Sequence, residues 1–155
     1  LLTLGSGYAV SIESIKLFSS TFNILVLLGI PFGFLTTNIL FINQFPDAKS
    51  DAITGKNHLV VTFGKKVSRW IYLLFLTLAF LSSFYLVNTL KFSEYFNENI
   101  FIIGNVLLYL FGFSIFLKLY KNYESRELVK SNINTIVLQS LFSIFYILVL
   151  NLFFI

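Results

Sequence analysis

The chain has 155 residues, of which 57% are hydrophobic and only 12% charged, with a mean hydropathy of +0.85. A soluble domain carries about 25% charged residues, so this composition excludes an ordinary water-facing surface. The formal charge of +4 is spread over loops between apolar runs, which argues for membrane topology and against a nucleic-acid surface.

The absence of Cys excludes disulfides, thiolate metal sites and a cysteine nucleophile. His58 is the only histidine and has no cluster of ligands around it to build a zinc site. There is no Met, even at position 1, so the chain is expected to be a piece of a longer protein. No basic segment precedes a short apolar one at the start, so a signal peptide is not expected there.

In chain order, residues 1–10 resemble the tail of a helix. Four apolar runs follow, at about 21–43, 70–90, 100–117 and 135–155. Each is close to the roughly 20 residues that cross a bilayer. They are apolar on all sides, as suits helices whose solvent is lipid. The expected fold is all-α: a polytopic transmembrane bundle of four full spans plus the end of a fifth, forming part of one domain over residues 1–155.

Lys and Arg alternate from side to side. Loop 44–69 holds Lys49, Lys56, Lys65, Lys66 and Arg69, and loop 118–134 holds Lys118, Lys121, Arg126 and Lys130. Lys16 and Lys91 lie on the other side, beside Glu13 and beside Glu94 and Glu98. The positive-inside rule therefore puts loops 44–69 and 118–134 in the cytoplasm of a bacterial or archaeal cell. Trp70, Tyr72, Tyr120 and Tyr123 stand where interfacial aromatic anchors are expected.

Within the first run, Gly29-Ile30-Pro31-Phe32-Gly33 allows either close helix packing or a bend that shapes a cavity; packing is the preferred expectation. Asn23, Asn38, Asn88 and Asn105 fall in or near the runs and are expected to be interhelical hydrogen-bond partners.

Asn43, Asp47, Asp51 and Gly55 recur every four residues at the end of the first run. On a helix the two carboxylates would share one face about 5–6 Å apart, able to hold one Mg²⁺, or two through bridging oxygens, with Asn43 as a neutral partner. Mg²⁺ takes one or two protein carboxylates and completes its shell with water and phosphate, which makes a diphosphate a natural substrate. Lys56 follows at once, while Lys49 falls off the acidic face. Pro46 suits the first turn of a new helical segment. The alternative is that Asp47 and Asp51 only stabilise the start of a loop helix through its dipole. His58 is expected to be a loop residue at headgroup level.

The stretch Ile42-Asn43-Gln44-Phe45-Pro46-Asp47-x3-Asp51-x3-Gly55-Lys56-x2-Leu59-Val60-Val61-x2-Gly64 resembles the second Asp-rich motif of the UbiA-type intramembrane prenyltransferases. The resemblance extends to the helices before and after it. It implies the end of the fifth helix and the sixth to ninth helices of a nine-helix enzyme. It also implies Mg²⁺-dependent transfer of a polyprenyl group from its diphosphate to an aromatic acceptor. Asp47 and Asp51 would correspond to the metal-binding acids, and Lys56 and Asn43 to residues at the diphosphate. The Asn-x-Phe-Pro-Asp variant resembles the dihydroxynaphthoate polyprenyltransferases of menaquinone synthesis.

Two departures accompany the resemblance. The first motif of the family, Asn-x-x-x-Asp-x-x-x-Asp, is absent from these 155 residues, and Glu13, Glu94, Glu98, Glu124 and Glu127 are not placed to replace it. The chain alone is therefore expected to be inactive, with the other half-site in a missing N-terminal portion. Asn57-His58 also stands where the family usually has a basic residue and Thr. A non-catalytic four-helix membrane protein with a structural Asp pair is the competing expectation. A transporter is disfavoured because the acids lie at a helix end rather than at the membrane midplane.

Overall fold

The computed structural model describes residues 20–90, 98–125 and 128–151. Expectations about the helix tail at residues 1–10 and about Glu13, Lys16, Lys91, Glu94, Arg126 and Glu127 lie outside those residues, as do the side chains of Asn23 and Asn88. The described chain is helical: α1 (Ser20–Ile53), the five-residue α2 (Leu59–Phe63), α3 (Lys65–Leu90), α4 (Glu98–Asn122) and α5 (Leu128–Asn151). α1, α3, α4 and α5 are long and apolar enough to cross a membrane.

The four long helices close a ring: α1 packs on α3 and α5, α3 on α4, and α4 on α5. Their inner faces are helical stripes. On α1 the buried positions are Pro31, Leu35, Asn38, Phe41, Ile42, Phe45 and Ala48, spaced as one face of a helix. Outside the ring, Leu40, Leu74, Leu107 and Ile147 are exposed, the arrangement expected when lipid rather than water surrounds the bundle. The centre is aromatic: Phe142 stacks on Tyr146 with centroids 4.4 Å apart and meets Phe32 and Phe80 edge-on at 5.1 and 5.5 Å.

Polar side chains tie the helices together where hydrocarbon offers no other partner. Asn38 donates to the Tyr72 carbonyl at 3.1 Å, joining α1 to α3. The Thr135 hydroxyl donates to Ser131 O at 2.9 Å. Its one proton is then spent, so the Tyr72 hydroxyl donates to Thr135 Oγ1 at 3.0 Å, joining α3 to α5. Further along the ring, Ser83 donates to Asn105 Oδ1 at 2.5 Å, and by the same proton count Tyr146 donates to Ser83. Asn38 and Asn105 are thus the interhelical partners that sequence suggested.

Four expectations are corrected. α1 does not stop at Asn43 and restart at Pro46; it runs unbroken to Ile53 with both Pro31 and Pro46 inside it. Pro46 removes one backbone donor, but Phe45 and Ala48 are buried on the α1 stripe, and that packing carries the helix through. α5 begins at Leu128 rather than near residue 135, because Leu128, Ser131 and Thr135 are buried. Tyr72 is not an interfacial anchor: it is fully buried and points its hydroxyl at α5, whereas Trp70 and Tyr120 are exposed. Finally, a Cβ built on Gly33 meets nothing within 4 Å, so no described neighbour packs closely there. The close approaches are at Gly104, where a Cβ would meet the Phe145 ring, and at Gly112, where it would lie 2.7 Å from Leu76 Cδ1 and 3.0 Å from Leu138 Cδ2.

Candidate functional site at the end of the first long helix

The apolar part of α1 ends at Ile42. Residues 20–42 span about 34 Å at 1.5 Å per residue, enough for the ~30 Å hydrocarbon core. The following three turns, Asn43 to Ile53, carry the acids and project past it. Asp47 and Asp51 lie one turn apart on this overhang, on one helical face.

The helix ends in a Schellman motif. Lys56 N donates to Asp51 O at 2.9 Å and Gly55 N donates to Ala52 O at 3.3 Å. Gly55 takes φ +76°, which only glycine adopts without penalty. The reversal brings Lys56 back over the residue whose carbonyl its backbone caps. Its Nζ donates to Asp51 Oδ1 at 3.2 Å. Gly-Lys after the acids is therefore a turn that delivers a cation to the second acid.

His58 completes the arrangement. It is the N-cap of α2, and its Nδ1 accepts from Val61 N at 3.3 Å. That acceptor role leaves the proton on Nε2 in the neutral ring, and Nε2 donates to Asp51 Oδ2 at 3.1 Å. Both carboxylate oxygens of Asp51 are thereby held. The Lys56 hydrogen bond is the chief cause of an Asp51 pKa below the ordinary 3.8; burial opposes it, and the His58 hydrogen bond adds to it. His58 was not expected to act here, and it is the contact that sequence reasoning missed.

Asp47 differs. Its side chain is exposed and has no hydrogen-bond or ion-pair partner among the described residues. Asn43 is turned aside: it donates to Ile39 O at 3.0 Å and accepts from Asn132 of α5. It ties α1 to α5 rather than standing between the acids.

Of the nearby cations, Lys65 lies 3.9 Å from Glu124. Arg69 donates to Tyr120 O at 3.0 Å and covers the rings of Tyr120 and Tyr123 at 3.9 and 4.8 Å. These two fasten α3 to the end of α4 and are already committed. Lys49 lines a cleft with Ala48, Ala52 and Lys65, off the Asp47/Asp51 face as expected. Lys56 is solvent-exposed, with its side chain 71% exposed against 17% for Asp51 and 19% for His58.

The donor set suits a hard divalent cation. Two carboxylates on one helical face are what Mg²⁺ takes from a protein when phosphate and water fill the rest of its shell, and one of them is unpaired. No group of three or more His, Cys, Asp or Glu residues able to hold a metal occurs among the described residues. What is present is a pair of carboxylates one helical turn apart.

The sequence profile of the UbiA prenyltransferase family matches residues 2–136, and the chain belongs to that family. No curated protein and no solved structure gives a significant match. Family, helix count and apolar faces together define an integral membrane protein of the prenyltransferase class.

Proposed function

We propose that this chain is the C-terminal part of a membrane enzyme that moves a polyprenyl group from its diphosphate to an aromatic acceptor, in quinone and specifically menaquinone synthesis. The observation that carries the reading is the acidic overhang of α1: an unpaired Asp47 one turn from Asp51, with Lys56 returned over it by the Gly55 turn. Membership of the family supports the reaction class. The naphthoate acceptor rests on the Asn-x-Phe-Pro-Asp variant at residues 43–47.

In this proposal Asp47 and Asp51 hold Mg²⁺, together with a second acidic motif from helices outside residues 1–155. Bound there, the ion would neutralise charge growing on the leaving diphosphate. The residues of the chain divide the remaining work. His58 donates to Asp51 Oδ2 and fixes its orientation, because its own ring is anchored at Val61 N. Lys56, exposed on a flexible stem, exchanges its contact with Asp51 for a diphosphate oxygen. Asn43, clasped to Asn132, keeps α1 and α5 in register beneath the site. The loops at this end, rich in Lys and Arg, face the cytoplasm.

One observation favours a second reading, a structural Asp pair. Both oxygens of Asp51 are already satisfied by Lys56 and His58, which is also how a carboxylate finishes a helix end. Binding of a fluorescent polyprenyl diphosphate to the complete protein separates the two. Saturable binding lost on chelation and restored by Mg²⁺ is the catalytic outcome. Binding indifferent to chelator is the structural one.

A further inference from the structure

The end of the bundle that carries the acids also holds a cavity of about 350 Å³ between the last turn of α4 and the first turns of α5. Its polar lining comes from Lys118 and Asn122 on α4 and from Lys130, Ser131 and Asn134 on α5, with Ile133 at its edge. No carboxylate among the described residues lines it.

Charge is the first indication of what it holds. Lys56 and Lys65 are matched to Asp51 and Glu124. Lys118 and Lys130 have no ion-pair partner among the described residues, yet both face the same cavity. Two ammonium groups with no counter-charge among the described residues, in one concavity, repel each other and favour an anion between them. Ser131 is the second indication. It is only 4% exposed, lines the cavity, and its hydroxyl makes no hydrogen bond to another described group. An anion in the cavity would accept a hydrogen bond from that hydroxyl. The third is α5 itself, a 24-residue helix with no acidic residue in its first turn, whose N-terminal dipole adds to the positive potential.

Depth selects the kind of anion. The membrane-crossing parts of α4 and α5 end at Asn122 and begin at Lys130, so the cavity sits at the boundary of the hydrocarbon. Tyr120 and Trp70 are exposed at this end, as interfacial rings are. Ile133, also exposed, adds an apolar side chain to the lining of the cavity. A free phosphate would have no use for that apolar edge, whereas an acyl chain would.

We propose that this cavity is a headgroup site for an anionic phospholipid, with the phosphodiester between Lys118, Lys130 and Ser131 and a chain lying over Ile133. The inference rests on the helices crossing a membrane and is independent of the prenyl-transfer reading.

The test uses the complete protein in phosphatidylcholine nanodiscs, with fluorescent phosphatidylglycerol as the probe and native mass spectrometry as a second readout. At the usual contribution of a lysine near an anionic lipid surface, two lysines favour phosphatidylglycerol over phosphatidylcholine about thirty-fold. The Lys118→Gln/Lys130→Gln double variant should lose that preference while keeping its helical circular dichroism. Lys118→Arg/Lys130→Arg should keep it. Equal retention of the two lipids by the wild-type protein overturns the proposal without needing any variant. Undiminished preference in the Gln variant overturns it as well. Displacement of the probe by equimolar inorganic pyrophosphate would reassign the cavity to a free anion and overturn the lipid claim.

Discussion

Gly55 is where a single methyl group should separate the two halves of the acidic site. Its φ of +76° lies in the left-handed region, and a Cβ built there meets nothing within 4 Å. The cost of Gly55→Ala is therefore conformational and not steric: about 1–2 kcal/mol for a left-handed L-residue. Roughly 0.4–1 kcal/mol is offset by the lower entropy of the unfolded chain. A net loss of about 1 kcal/mol is expected. It falls on the turn that brings Lys56 to Asp51, so the Lys56 Nζ–Asp51 Oδ1 contact at 3.2 Å should loosen with it. Gly33→Ala is the control. That glycine is also in open space but lies inside α1 with no positive φ, so alanine there should be neutral or stabilising by up to about 1 kcal/mol. Gly55→Asn, which tolerates the left-handed region, should fall between wild type and Gly55→Ala. Reversible unfolding in mixed micelles measures all three, with protease sensitivity at residues 54–58 reporting the turn directly. Equal stability of Gly55→Ala and Gly33→Ala, with no change in cleavage, would refute the reasoning.

Other consequences follow from particular contacts. His58→Asn keeps a good helix cap but gives up the Nε2 donor to Asp51. In the complete protein it should weaken Mg²⁺ about tenfold, the low end for loss of an outer partner of a metal ligand, and isothermal titration would read the shift. Tyr72→Phe removes the donor to Thr135 Oγ1 that joins α3 to α5. A double-mutant cycle with Thr135→Val should give a coupling of about 0.6–2 kcal/mol, and a zero coupling would discard the staple. The Asp51 pKa is depressed, so the stabilisation from its Lys56 contact is complete above the ordinary carboxylate value of 3.8 and lost as pH falls through the lower folded one. In Lys56→Gln the carboxyl carbon resonance of Asp51 should titrate at higher pH than in the wild type.

Much of the bundle was legible because lipid imposes a blunt constraint: a spanning helix must be long and apolar, and hydropathy detects that. The runs at 70–90 and 100–117 fall inside α3 and α4 for this reason. Hydropathy does not see helix that packs on protein. The start of α5 was missed because Ser131, Asn132 and Asn134 lower the apolar average, although Leu128, Ser131 and Thr135 keep a buried helical spacing. The continuation of α1 through Pro46 was missed likewise, with Phe45 and Ala48 holding the stripe. Tyr72 was misassigned because its position near Trp70 is interfacial in sequence, while its orientation on the helix is inward.

At the acidic end, the shared face of Asp47 and Asp51 was legible from spacing, since i and i+4 lie together, whereas Lys56, five residues past Asp51, reaches it through the Gly55 turn. The role of His58 was not, because it depends on a chain reversal rather than a period. Gly55 was the available signal. A glycine just after a helix turns the chain back on the last turn, which places the next few residues against Asp51. Asn43 shows the opposite limit: its four-residue spacing from Asp47 is right for a shared site, but its side chain is taken by Asn132.

The most direct test of the central claim is prenyl transfer by the complete protein with Asp47→Asn and Asp51→Asn tested singly. Each reaction would contain a polyprenyl diphosphate and a dihydroxynaphthoate acceptor, with Mg²⁺ supplied or chelated. The account predicts Mg²⁺-dependent turnover in the wild type and a loss of about 100-fold or more in each variant, with membrane insertion and helical content unchanged. Wild-type turnover in both variants would contradict it.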